Sequence, residues 1–364
     1  MGLHLGLAVA AVSAPAVVLG QIAGTATLVV ERKWSGPQID TILPLAPTGA
    51  ALHSSGTFVL TLPQLSRVLL GHLDTEQLEP LGRVGQGPGE YLRPVASGWL
   101  GDSLWIWDSG LRRLNWLTRT GRYLGAEPGR GMGSLVPLRG GRWYRFVPGG
   151  VNDTVAQAIL TGPDQATAER VTSYSWPKAP ELRIPLEQGF IVGVQPFANR
   201  AFVSVDLATE DLLVFQPLRE PGVIRYRRIR PNGTTQVDRR VSLPVQALTE
   251  NHYQTMIDRW KEEGGPRYRA LEPERLRKAF YRPKYLPTIR GIVRAGNGTV
   301  WLQAGPETEQ VSTWVELSKD GLVRRQVTGP PELQLLLVAG GRAVGSLMDE
   351  NGVVSLVLFR IVDS

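Results

Sequence analysis

Four histidines are the first residues in this 364-residue chain that could ligate a metal or act as a base: His4, His53, His72 and His252. No two of them stand at H-x-x-x-H or a comparable ligand spacing, so the sequence does not suggest a zinc site. The chain has no cysteine, which excludes thiolate metal sites, structural disulfides and a cysteine nucleophile. Calcium needs clustered oxygen ligands. Asp349-Glu350-Asn351-Gly352 has such atoms, but between two apolar runs it reads first as a hairpin turn, as do Asn232-Gly233 and Asn297-Gly298. There is no G-x-S-x-G elbow. Glu262-Glu263 and the pair Glu272 and Glu274 lie among Lys and Arg, as on a solvated helix surface. No catalytic residue, metal or cofactor is therefore assigned.

Charge is the next signal. The formal net charge is +7, yet residues 219–294 hold 18 Lys and Arg against 8 Asp and Glu, about +10, which leaves about −3 for the rest. Within that stretch Arg259, Lys261, Arg267, Tyr268 and Arg269 form a basic, partly aromatic cluster. The plain reading is a solvated charged face. The sharper one makes these five residues a binding site for an anionic ligand, glycan or partner. Ten tryptophans fall mostly inside or beside short apolar runs. Core filling is their default role, and a stacking platform for a glycan or peptide is the alternative.

Those residues need elements to carry them. Forty-one glycines and 27 prolines are spread along the chain, as expected where many short strands are separated by turns. The clearest unit is 82–125. In it Leu104-Trp105-Ile106-Trp107 is a strand, Asp108-Ser109-Gly110 a turn, Arg113–Leu117 a second strand, and Arg119-Thr120-Gly121-Arg122 a further turn. Similar units begin near residues 57, 142, 200, 299 and 342. Most spacings are about 40–60 residues, the length of a four-stranded propeller blade. The predicted fold is all-β: a single six-bladed β-propeller over 25–364.

The long gap before residue 299 reads differently. Tyr253, Met256, Ile257 and Trp260 fall on one helical face, and Gly264-Gly265-Pro266 stops that helix. A second short stripe follows Pro273. The prediction is a helical hairpin inserted at 249–285, its apolar face turned to the propeller. The last unit lacks an outer strand, so Thr27–Lys33 is expected to complete it and remove an open edge. Residues 3–23 are apolar and small, like the core of a secretory signal peptide, with Val18-Leu19-Gly20 as a candidate cleavage site. The first basic residue is Arg32, so this lacks a signal peptide's basic start. Residues 1–24 are read as a signal peptide or an N-terminal anchor, with a buried first strand as the third reading.

The segment Gly82–Gly121 resembles the NHL repeat and the related NHL-like and TolB-like six-bladed propellers of exported bacterial proteins. Gly82, Gly85, Gly87, Gly89, Glu90, Tyr91, Pro94, Trp105, Asp108, Arg113 and Gly121 carry the resemblance, and the place of the helical insertion is also similar. The resemblance implies that Asp108 and Arg113 brace the turn between inner strands as a local ion pair. The three glycines Gly85, Gly87 and Gly89 would permit positive φ at the crossing between blades. It also implies a periplasmic or secreted protein. The expected function is a non-catalytic binding or scaffold propeller that engages a protein, peptide or glycan. It would not bind nucleic acid, the mature chain would have no membrane span, and it would be monomeric. The alternative is a metal-dependent lactonase- or lyase-type enzyme, whose channel carboxylates would come from separate blades and leave no spacing signal.

Overall fold

A computed structural model describes residues 17–18, 24–34, 46–129, 134–147, 155–163, 167–186, 189–193, 195–263, 269–304, 311–349 and 353–364. Two strands come first, the two-residue β1 (Val17–Val18) and the ten-residue β2 (Thr25–Trp34). The first sheet is β3 (Gly49–Leu52), β4 (Thr57–Leu62), β5 (Arg67–His72) and β6 (Leu78–Pro80). A parallel pair, β7 (Arg83–Val84) and β8 (Glu90–Tyr91), leads to the second: β9 (Pro94–Leu100), β10 (Ser103–Asp108), β11 (Arg113–Thr118) and β12 (Tyr123–Pro128). The third is β13 (Ser134–Pro137), β14 (Trp143–Val147), β15 (Val155–Thr161) and β16 (Ala168–Ser175). A separate hairpin, β17 (Leu182–Pro185) and β18 (Phe190–Gly193), precedes the fourth sheet: β19 (Phe202–Asp206), β20 (Asp211–Pro217), β21 (Val223–Ile229) and β22 (Thr235–Ser242).

Helices α1 (Glu250–Glu263) and α2 (Pro273–Ala279) follow. The chain then forms β23 (Gly291–Arg294), β24 (Val300–Gln303), β25 (Ser312–Leu317), β26 (Val323–Gly329), β27 (Gln334–Ala339), β28 (Arg342–Met348) and β29 (Val354–Asp363). These share one eight-stranded sheet with β2, in the order β23-β24-β25-β26-β2-β29-β28-β27.

Strand periodicity explains how the sheets stack. Successive side chains point to opposite faces, and β10 (SLWIWD) is apolar on both. Leu104 and Ile106 join Val59 and Val68 of the first sheet in one core. Trp105 and Trp107 join Leu135 and Trp143 of the third in another. The same division recurs along β20, where Leu212 and Val214 pack with Tyr144 and Ala158, while Phe215 packs with Val300 and Leu302. On β4, Phe58, Leu60 and Leu62 meet Leu336, Val344 and Leu356 at the end of the chain. Each sheet is thus buried against the one before and the one after, and the last meets the first. This is a β-propeller arrangement, with the sheet interfaces as its cores. Seven of the ten tryptophans are buried in them, as their default role required.

Closure follows the predicted route. β2 pairs antiparallel with β29 from Ala26↔Asp363 to Trp34↔Leu356, and Thr25–Thr27 also run parallel to Gln326–Thr328 of β26. Val17–Val18 pair parallel with Arg240–Val241 of β22. The rest of the expected signal segment, up to residue 23, lies outside the described residues.

The Gly82–Gly121 segment corrects an expectation. Asp108 is fully buried and accepts four backbone N–H bonds, from Leu92 (2.8 Å), Arg93 (3.0 Å), Gly110 (2.9 Å) and Leu111 (3.0 Å). It makes no ion pair with Arg113. Arg113 instead donates to the carbonyls of Gln86 (2.9 Å), Gly87 (2.6 Å) and Glu90 (2.9 Å). The reason is supply and demand: the turns present several backbone donors that need one acceptor, and the glycine loop presents carbonyls that need a donor. Gly85 and Gly89 have positive φ, but Gly87 does not. Its N–H donates to Glu90 at 2.7 Å.

Candidate functional site

The inner strands surround a channel. Residues of β3, β9, β13, β19, β23 and β27 line a cavity of about 790 Å³. Its wall is small or aliphatic over most of its length, as at Gly49, Ala50, Ala96, Gly98, Val203, Ile292 and Leu335. Trp99, Trp105 and Trp314 add ring faces. Gly98 is required by close approach, since a Cβ there would lie 2.4–2.7 Å from the Trp105 indole. Among the described residues, the charged groups in the wall are Arg259, Arg290, Arg294 and Glu332.

Arg294 is tied into the fourth sheet. Its guanidinium lies 3.5 Å from Asp206, and burial lowers its pKa while Asp206 opposes that shift. Asp206 also accepts from Arg228 at 3.0 Å, and Arg228 donates to Asp211 at 2.7 Å and Thr209 at 3.0 Å. This buried network satisfies its own charges.

At the rim of the channel lies a second cavity, of about 1150 Å³, bounded by α1 and the loops 195–200 and 286–290. Arg259, Arg290, Gln303 and Glu332 line both cavities, so the two adjoin there. Arg259 donates to Glu332 at 2.9 Å across this junction. Glu332 stands between β26 and β27 with φ 55°, in the left-handed region that a non-glycine residue seldom adopts. The groove adds Arg200, Asn251, His252, Thr255 and Met256.

Several bonds hold this rim in place. His252 braces the start of α1: its Nδ1 faces the Thr249 hydroxyl at 2.7 Å and its Nε2 lies 3.2 Å from the Gln246 amide. Buried Gln195 donates to the carbonyl of Ala279 (3.0 Å) and accepts from the N–H of Tyr281 (2.6 Å). Asn199 accepts from the N–H of Thr288 at 2.9 Å. The apolar face of α1 is covered, but not by the propeller sheets. Tyr253 and Ile257 are buried, with Met256 and Trp260 beside them, against Leu182 and Ile184 of the β17–β18 hairpin, Phe197, Leu276 and Phe280. The expectation that this face is buried holds; its partner is a separate small core.

Three of the five residues singled out in the sequence are described. Arg259 lines the junction. Lys261 is half-buried and Arg269 exposed, and neither lines these two cavities. Arg267 and Tyr268 lie outside the described residues. Sequence reasoning missed Arg200, Arg290, Gln303 and Glu332, which come from four separate segments. The only signal was the basic excess of 219–294, which includes Arg290.

Beside Leu52 and Trp99 of the channel wall is a smaller cavity of about 570 Å³ lined by His53, Ser55, Trp99, Asp102 and Arg119. His53 lies 2.8 Å from the Ser55 hydroxyl and 3.3 Å from Asp102. His53 Nδ1 also accepts the backbone N–H of Ser55 at 3.1 Å, and Asp102 is 81% exposed. This is a brace for the β3–β4 turn, with its only base-like lone pair already engaged. Among the described residues, no three His, Asp or Glu side chains come together as a metal site.

No protein-family model matches the chain, and no curated sequence matches it either. Similar solved structures include a DUF4221-family member from Bacteroides vulgatus (8% identity, 94% of this chain and 100% of that one, TM-score 0.49). They include a PQQ-bound aldose sugar dehydrogenase from Streptomyces coelicolor (12%, 93% and 99%, TM-score 0.45). A calcium-binding regucalcin from Agrobacterium tumefaciens is also similar (10%, 93% and 97%, TM-score 0.42). At these values the likeness transfers no activity.

Proposed function

We propose that this chain is a six-bladed, NHL-like propeller of the cell envelope or extracellular space, monomeric and non-catalytic, that binds a peptide or glycan of a partner in its channel mouth. The adjoining of the two cavities at Arg259, Arg290, Gln303 and Glu332 carries this reading. A small, largely aliphatic tunnel with a polar, cationic entrance can bury an extended ligand and orient it by a few polar contacts. The count of six is supported by six inner strands in the channel wall. Apolar cores also link each blade to the next all the way round. In this reading residues 1–24 direct export, and no helix among the described residues is long and apolar enough to cross a membrane. Helix α1, within the 249–285 insertion, forms one wall of the entrance.

The test is a thermal-shift screen of the chain against peptide and glycan collections, repeated with Ala96→Trp, which places an indole in the channel. A ligand that binds only the native state raises the unfolding temperature. Ligands that stabilise the native protein should lose at least tenfold in affinity to the filled variant. Equal binding by both proteins, or chemical turnover of the ligands, would overturn the reading.

A further inference from the structure

We propose that the channel takes a neutral oligosaccharide, held by four uncharged side chains that reach it from different parts of the ring: Thr48, Ser204, Gln303 and Ser346. This rests on the channel-mouth reading above and names its ligand.

All four residues line the channel. Thr48 precedes β3, Ser204 lies on β19, Gln303 on β24 and Ser346 on β28. Among the described residues, none of these four side chains has a hydrogen-bond partner. Ser346 is the most telling, because it is only 3% exposed and buried hydroxyls are nearly always paired. Its hydroxyl is not sealed inside the protein, so the channel is where a partner must come from. Gln303 stands where the two cavities adjoin. Its amide carries donors and an acceptor, and each hydroxyl likewise both donates and accepts.

The chemistry of these groups selects the ligand. In the free protein, water can satisfy them. A ligand that displaces water must offer similar groups in return, or strand each side chain at a cost of about tenfold in affinity. Apolar peptide side chains offer none. An extended peptide backbone presents its N–H and C=O groups along two opposite edges only, whereas these four side chains stand round the channel. A sugar carries hydroxyls round its whole ring, each able to donate and accept, with C–H faces between them. Those faces suit the small apolar stretches of wall at Ala50, Ala96 and Ile292. None of the four side chains carries a charge, so none calls for one on the ligand. A site of this kind discriminates against an analogue without the hydroxyls, since its own polar groups are then left unpaired.

The experiment uses the whole protein, fluorescently labelled, on an array of short neutral oligosaccharides. Permethylated copies of each, acidic oligosaccharides and random peptides stand beside them. Neutral oligosaccharides should bind at least tenfold more tightly than their permethylated copies, which keep the rings and lose the hydroxyl donors. Thr48→Val, Ser204→Ala, Gln303→Leu and Ser346→Ala should each weaken that binding about tenfold. Without ligand, each variant should unfold at the native temperature, because the side chain it loses had no partner in the protein; misfolding would lower it. Thr120→Ala removes an exposed hydroxyl that lines neither cavity and should change nothing. Peptide binding that is blocked by Ala96→Trp but indifferent to these variants overturns this proposal and leaves the channel-mouth reading intact. Equal binding of the permethylated copies, indifference to all four variants, or binding confined to acidic oligosaccharides has the same consequence. If no ligand binds, or if binding survives Ala96→Trp, both readings fall together.

Discussion

Asp108 organises its turn through four backbone N–H groups rather than through a partner charge. Removing the acceptor strands buried donors, each costing about 1–3 kcal/mol less whatever water can recover. Asp108→Ala is therefore expected to cost about 3 kcal/mol in urea unfolding. Asp108→Asn should cost less, because one amide oxygen still accepts. A salt-bridge role would make the two variants equal and make Arg113→Met match them. Glu90 supplies a pH dependence. The Gly87 N–H and then Arg83 hold its carboxyl below the ordinary value of 4.5. A folded-state pKa depressed in this way contributes stability above the unfolded pKa and loses it as pH falls through the folded one. Hydrogen-exchange protection in the 85–91 loop, taken relative to the intrinsic rate at each pH, should fall between pH 5 and pH 3 in the native protein, and Glu90→Gln should flatten that change. A loop equally sensitive in both proteins would place the titration elsewhere. The glycine loop was legible because its residues are consecutive and turn chemistry is local. The junction was not, because Arg200, Arg259, Arg290 and Glu332 are joined only by the closure of the ring.

Legibility of the elements follows their burial. The strands beginning near 57, 103, 142, 299 and 342 announce themselves through aromatic and β-branched residues. They are second strands, packed on both faces. Most innermost strands escaped notice. β3 (GAAL), β13 (SLVP) and β23 (GIVR) are short, and a channel wall selects for small side chains rather than for alternation. In the fourth sheet the strand found near 200 is itself the inner one, and β20 beside it went unread. The β17–β18 hairpin, which covers the helices, also gave no signal, since Leu182 and Ile184 look like any short apolar run. A prediction belongs at this scale. Ile257 is fully buried in the small core of hairpin and helices. Ile257→Ala should cost about 2–5 kcal/mol where the whole core must open to release it. That core is separate from the sheet interfaces, so the loss should appear as faster hydrogen exchange across 250–263, with a smaller shift in the main unfolding transition. Equal slowing or loss throughout the sheets would mean that helices and propeller unfold as one unit.

The whole ring depends on one strand given by the beginning of the chain. β2 fills the place beside β29 and also touches β26, so it joins the last two groups of the eight-stranded sheet. It buries Ala26, Leu28 and Trp34, and Trp34 meets Phe58 of the first sheet edge-on with ring centroids 5.7 Å apart. Ion pairs secure the same seam: Arg342 contacts Glu31 at 3.1 Å and Asp74 at 2.8 Å, while Arg325 joins Glu316 at 2.6 Å and also pairs with Asp363. Without β2, the edge of β29 would lie open and three sheets would lose part of their common core. Deleting residues 1–24 removes the short β1 pairing and little else among the described residues, so the unfolding temperature should fall by only a few degrees. Deleting residues 1–34 removes Trp34 as well, and truncating a buried Trp alone costs about 3–5 kcal/mol. At roughly 2 °C per kcal/mol for a chain of this size, a drop of about 10 °C or more is expected. Trp34→Ala in the full chain should reproduce about half of it, which keeps the test readable if the longer deletion fails to fold. A synthetic peptide of residues 25–34, added to the shortened protein, should restore part of the lost temperature by occupying the vacant edge. Equal unfolding temperatures for the two deletions, with no response to the peptide, would show that the ring is closed by its sheet interfaces alone.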